Sequence, residues 1–289
     1  MSTPTQSPRR ARIADATAAF FDNRLATIGL VVLVLVTLFC FVGPLIWHTD
    51  QVHTNLFGAL QPPGREHPLG TDDLGRDVLG RLMVGGRISL IVGVIAAVVA
   101  TTVGALYGSL AGYAGGTIDA AMMRVVDAII SIPTLFIILF IASLAPPTVT
   151  TLIVAITVTS WLVPARIIRG EALTLRRLDF VRLVKTMGGG SVRAVTRHVL
   201  PNTVSTMAVN ATFQVADAIL LIATLSFLGL GPRPPAANWG GMLSGGLQYE
   251  YSGYWWMIYP AGIAIIVTVM SINLVGDGLR DALSPKSAS

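Results

Sequence analysis

Asp72, Asp73 and Asp77 alternate with Arg76, Arg81 and Arg87 in the run HPLGTDDLGRDVLGRLMVGGRISL, residues 67–90. Carboxylates, guanidiniums and the His67 imidazole at this density support two chemistries. One is a set of ion pairs that staples a loop, each pair weak on its own; the other is a ligand set for a metal ion. The arginines favour the first, because they compete for the same carboxylates. A second group, Asn210, Gln214 and Asp217, recurs at spacings of four and three within an apolar run, so the three share one helical face. An ionisable side chain inside a membrane is costly and must face a pore, a partner or another polar group. The stripe is therefore a candidate translocation path, with bridges between helices as the alternative. The third group is basic. In residues 179–202, DFVRLVKTMGGGSVRAVTRHVLPN, Phe180, Val181, Val184 and Met187 recur at helical spacing, three glycines interrupt them, and Val192, Val195 and Val199 resume until Pro201. This pattern reads as a helix, a flexible corner and a second helix ended by the proline. Such a pair has too little apolar surface to stand alone, so it must press on the membrane domain or on a partner protein.

Other chemistry is missing from the sequence. There is no GxxxxGK[ST] loop to hold nucleotide phosphates, no HExxH and no GxSxG, and His48, His53, His67 and His198 are scattered. No catalytic residue and no metal ligand is assigned, and the chain is not expected to be an enzyme.

The elements that position these groups are membrane spans. Of 289 residues, 53% are hydrophobic and 12% charged, with a mean hydropathy of +0.70. A span needs about 20 mainly apolar residues, and six runs qualify: 25–47, 88–111, 125–144, 149–168, 204–228 and 256–275. Of the 20 Lys and Arg residues, only Arg65, Arg76, Arg81, Arg87 and Arg233 fall on the side opposite the N-terminus. By the positive-inside rule both termini and the 179–202 segment face the cytoplasm. The formal charge of +5 is thus spread over loops and is not a nucleic-acid patch. Cys40, the one cysteine, lies in the first span as a small packing residue. Arg9, Arg10 and Arg12 before a run of full spanning length suggest a retained anchor and no cleaved signal. Gly104, Gly108 and Gly112 place small residues on one face of the second span, where a neighbouring helix can come close. Asp127 can reach Arg124 or water, and Ser131-Ile132-Pro133 is expected to kink the third span. The segment 232–255 reads as an outer loop whose aromatics, Trp239, Tyr249–Tyr254 and then Trp255-Trp256, form an interfacial belt.

Several of these runs resemble one family. The basic segment resembles the coupling loop of binding-protein-dependent ABC importers, whose motif is Glu-Ala-Ala, three residues, Gly, nine residues, an apolar residue and Leu-Pro. The matching positions are Arg182, Leu183 and Val184, then Gly188, then His198, Val199, Leu200 and Pro201; the acidic opening is not kept. The outer run, through His67, Pro68, Gly70, Thr71, Asp72, Gly75, Arg76 and Asp77, resembles the signature of C-type permease subunits of dipeptide and oligopeptide importers. Residues 225–231 and 273–285 are similar to further stretches of those permeases.

The resemblance implies an all-α membrane protein with six transmembrane helices and the type I ABC importer permease fold with cytoplasmic coupling helices. It divides the chain into a cytoplasmic segment 1–24, a first span 25–47, an extracytoplasmic loop 48–87, a permease core 88–278 containing the coupling loop 170–203, and a tail 279–289. The implied function is a permease subunit of an ATP-driven peptide importer in a prokaryotic inner membrane. The implied partners are a second homologous permease, two ATP-binding subunits, an extracytoplasmic peptide-binding protein, the peptide and membrane lipid, with no nucleic acid. Cofactors are expected only on the partners, as ATP and magnesium. A self-contained secondary transporter or channel for a small solute is the competing expectation.

Overall fold

The computed structural model describes residues 16–50, 52–179 and 190–283. Among these, the regular structure is helical apart from one isolated antiparallel bridge between Thr71 and Asp77. Helix α1 spans Arg24–Phe41 and α2 spans Val78–Ala114. A broken pair follows, α3 (Gly116–Ile130) and α4 (Thr134–Leu144), then a second pair, α5 (Val149–Ser160) and α6 (Leu162–Leu175). Helices α7 (Leu200–Phe227), α8 (Trp239–Leu247) and α9 (Tyr259–Leu283) complete the described chain. Among the described residues five helical stretches are long and apolar enough to cross a membrane, and the α3–α4 pair makes six if it counts as one span. The expected kink at Ser131-Ile132-Pro133 is a full break, with α3 and α4 at 79°.

Helices α2 and α7 form the centre, and two buried clusters flank them. Leu82 and Leu90 of α2 meet Ile219 of α7 and Ile265 and Ile272 of α9. On the other side Val92 and Ala96 of α2 meet Ile138 of α4, Ile156 of α5 and Ile222 of α7. Lipid is as apolar as these side chains, so close packing has to supply the attraction. The glycine stripe does so. A Cβ at Gly104 would lie 2.6 Å from the Trp161 carbonyl and one at Gly112 2.6 Å from that of Arg169, while one at Gly108 would collide with the Ala165 carbonyl. The three glycines therefore let the backbones of α2 and α6 touch. Gly108→Val should force the helices apart and cost about 3 kcal/mol, the upper part of the overpacking range. Chemical denaturation of the purified protein in detergent measures this; an unchanged midpoint would show that the seam is not in contact.

Three expectations are corrected. The second membrane helix begins at Val78, well before residue 88, because Asp77 caps it by accepting the Gly80 N–H at 2.6 Å. Gly80, Arg81 and Arg87 are thus helical and not part of a turn-rich loop. With 37 residues, α2 is about 55 Å long, more than the ~30 Å hydrocarbon core, and its first turns carry the 52–77 loop. Asp127 keeps an exposed side chain, one of the two expectations for it, but its ion-pair partner is Arg166 at 2.5 Å and not Arg124. Segment 232–255 contains α8, and two tryptophans ascribed to the aromatic belt are interior: Trp239 is 1% exposed and Trp256 is 7% exposed. Trp239 donates to the Leu82 carbonyl and Trp256 to the Thr71 carbonyl. Tyr251, Trp255 and Tyr259 remain exposed.

Candidate functional site

The 67–77 signature folds into a tight knot over the N-terminal end of α2. Gly70 and Gly75 both have positive φ, at 72° and 74°. A side chain at Gly75 would strike the Asn55 carbonyl, so backbone sign and space both require glycine there. Asp72 is the hub. Its Oδ1 accepts the backbone N–H of Leu74 at 3.0 Å and of Arg76 at 2.8 Å, and its Oδ2 receives Arg76 Nε at 2.8 Å and Arg81 Nε at 3.3 Å. All three side chains are at most 10% exposed. The expected ion pairs are present but buried, so they differ from the individually weak pairs expected from the sequence. Asp77 holds a second junction: besides the Gly80 cap it accepts from Trp47 Nε1 at 3.3 Å and lies 2.8 Å from His67 Nδ1. It thereby ties the chain just beyond the C-terminal end of α1 to the loop and to α2. Thr71 accepts the Gln61 N–H and donates to the Gly58 carbonyl, while Pro68 is exposed. The structure brings every residue of the signature except Pro68 into this bonded knot or onto its turns. Among the described residues no three His, Cys, Asp or Glu side chains converge as a metal site.

The polar stripe of α7 divides. Gln214 Nε2 donates to the Ser160 carbonyl at 2.5 Å. Pro164 lies four residues beyond Ser160 and has no N–H, so the helical bond to that carbonyl cannot form. Gln214 fills the vacancy at the α5–α6 break. Asn210 Nδ2 donates to the Thr206 carbonyl of its own helix at 2.9 Å and lines a cavity of about 430 Å³ with Thr206, Phe213 and Arg280. Asp217 is exposed and makes no hydrogen bond or ion pair with any described residue. It begins an open ridge that continues through Leu220, Thr224 and Phe227 at helical spacing, opposite Ala218 and Ile222, which are buried in the core. Asn210 and Asp217, two turns apart, stay on one face.

Of the positions matched to the coupling motif, Arg182, Leu183, Val184 and Gly188 lie outside the described residues. His198, Leu200 and Pro201 lie within them, and Pro201 does not end a helix. Ser191–Ala194 is helical, Val195–Val199 forms a π-helical turn, and α7 continues without a gap. The proline explains the turn. Its ring clashes with the carbonyl four residues back and it lacks an N–H, so the helix widens there, with the Leu200 N–H donating to Val195 O. Asn202 Nδ2 donates to the His198 carbonyl at 2.6 Å. On the other side of the segment, α6 is anchored to α3 by Arg169, which grips Asp119 through Nε at 2.6 Å and Nη2 at 2.7 Å. Sequence reasoning missed this bidentate pair and the Gln214 contact; Pro164 was the available signal for the latter.

Comparison with known proteins gives concordant results. Residues 100–289 match the family model described as the binding-protein-dependent transport system inner membrane component. Residues 12–63 match the N-terminal transmembrane domain of oligopeptide transport permease C. The chain is 41% identical to the oligopeptide transport system permease protein OppC of Bacillus subtilis (strain 168), over 94% of this chain and 89% of the relative. It is 42% identical to OppC of Escherichia coli (strain K12), over 94% and 90%. It is 39% identical to the dipeptide transport system permease protein DppC of B. subtilis, over 94% and 85%. With its helical membrane fold, the chain belongs to the family of binding-protein-dependent transport system inner membrane components.

Proposed function

We propose that the chain is a permease subunit of an ATP-driven importer of peptides, forming half of the translocation pathway beside a second, related permease. The relatives named for oligopeptide and dipeptide transport support peptides as the cargo. Two ATP-binding subunits would dock on the 179–202 segment, carrying ATP and magnesium, and a peptide-binding protein would dock on the opposite side. The excess of Lys and Arg in the terminal and 179–202 segments supports placing these on the cytoplasmic face.

The observation that carries the reading is the unbroken helix from Ser191 to Phe227. It joins the end of the docking segment to the face bearing Asn210 and Asp217. A displacement imposed at the docking segment would travel along this rod while α6 stays fixed to α2 and α3. Such a lever suits switching between two discrete arrangements rather than continuous bending.

Asp217 is a side chain of this face with no partner among the described residues, as expected for a group facing a polar path between two permeases. Asp217→Leu should lower peptide uptake into vesicles holding the whole complex at least about tenfold, with assembly intact. Unchanged uptake by a correctly assembled variant would return Asp217 to a structural role.

A further inference from the structure

An apolar groove of about 620 Å³ lies between α1, α2, α7 and α9, lined among others by Leu33 and Phe41, Ile91 and Val94, Val215 and Ile272. Its two hydroxyls are already spent: Thr37 donates to the Leu33 carbonyl and Thr212 to the Ala208 carbonyl, each within its own helix. The remaining lining is hydrocarbon. Ile91 and Val94 are 37% and 46% exposed, so the groove opens sideways toward lipid.

The groove has one charged end. Arg87 precedes Ile91 and Val94 by one and two turns on the same face of α2. Its guanidinium sits 5.5 Å from the centroid of the Phe41 ring, and its Nη2 donates to the Phe41 carbonyl at 3.3 Å. Its Nε is shielded from solvent and has no hydrogen-bond partner among the described residues. Along α1 the groove runs from Phe41 to Leu33, about 12 Å at the rise of a helix. That is close to the depth of one leaflet of a ~30 Å hydrocarbon core. A cation at the interface above an apolar slot one leaflet deep matches an amphipathic anion.

We propose that this groove binds an anionic phospholipid in the leaflet on the side of the 52–77 loop, its acyl chain against Ile91 and Val94 and its phosphate on Arg87. The acyl chain supplies contact area without polar mismatch. The phosphate gives the guanidinium a charge-assisted partner that no described residue provides. The site stands apart from the proposed pathway face of α7, since Asp217 does not line it.

The test uses the assembled complex, delipidated and then exposed to phosphatidylglycerol or phosphatidylcholine of matched chain length, with bound lipid counted by native mass spectrometry. Phosphatidylglycerol should be retained about tenfold over phosphatidylcholine, and Arg87→Gln should bring it down to the phosphatidylcholine level. Val94→Trp, which fills the slot, should lose both. A phosphatidylglycerol carrying a photoreactive acyl chain should label Ile91 or Val94 in the unaltered complex, a readout that needs no variant. Equal retention of the two lipids by the native complex would overturn the proposal. So would labelling away from α2, or a cross-link from position 94 to another polypeptide showing that a subunit covers the groove.

Discussion

Asp72→Ala should destabilise the protein by about 3–5 kcal/mol, the cost of removing one partner from a buried ionic cluster. The loss does not lie in the attraction itself. Arg76 and Arg81 would remain buried with one carboxylate fewer between them, and the N–H groups of Leu74 and Arg76 would lose their acceptor. Denaturation in detergent reads the stability, and protease cutting within 52–77 reads the local release. If the loss comes from stranded charge, replacing all three side chains together, Asp72→Leu with Arg76→Met and Arg81→Leu, should recover much of it. A single variant within about 1 kcal/mol of native would mean that the pairs behave as solvent-exposed ones.

Gly188→Val carries the largest expected effect on function. The residue lies outside the described part of the structure; in sequence it opens the run of three glycines in the proposed docking segment, where a β-branched side chain would forbid backbone angles that glycine adopts freely. The variant should insert into the membrane and assemble, because the helices packed in the two buried clusters are untouched. Its peptide uptake should fall at least about tenfold, and ATP turnover by the complex should no longer respond to peptide. Normal uptake would remove the corner from the mechanism.

What could be read from the sequence was whatever local chemistry decides. Apolar runs of spanning length mark the helices, Gly104, Gly108 and Gly112 mark a close helix contact whatever the partner helix, and Pro133 marks a kink, though not that it is a full break. The start of α2 was also written locally, in Asp77 as a cap, but the density of charge after it argued for a loop and hid the signal. The remainder depended on partners distant in sequence. Gln214 shares a helical face with Asn210 and Asp217, which leaves pathway and helix bridge both open, and nothing near it in sequence shows that it reaches the carbonyl that Pro164 frees, 54 positions away. Trp239 and Trp256 read as belt aromatics because nothing nearby in sequence shows that their N–H groups reach Leu82 and Thr71. Burial of the Asp72 cluster was equally invisible, since spacing shows which charges can meet but not whether water reaches them. Pro201 misled for a different reason: a proline in the first turn of a helix is tolerated, so it reset the helix through a π turn and did not stop it.

The central claim is that transport by this chain is driven by ATP hydrolysed on partner subunits. The direct measurement is ATP turnover and peptide uptake in vesicles reconstituted with the native complex, set beside vesicles holding this chain alone. The account predicts turnover only with the co-isolated ATPase subunits, stimulation when peptide and a binding protein are added, and no uptake by the chain alone. Solute movement by the isolated chain, with no ATPase co-isolating, would contradict it.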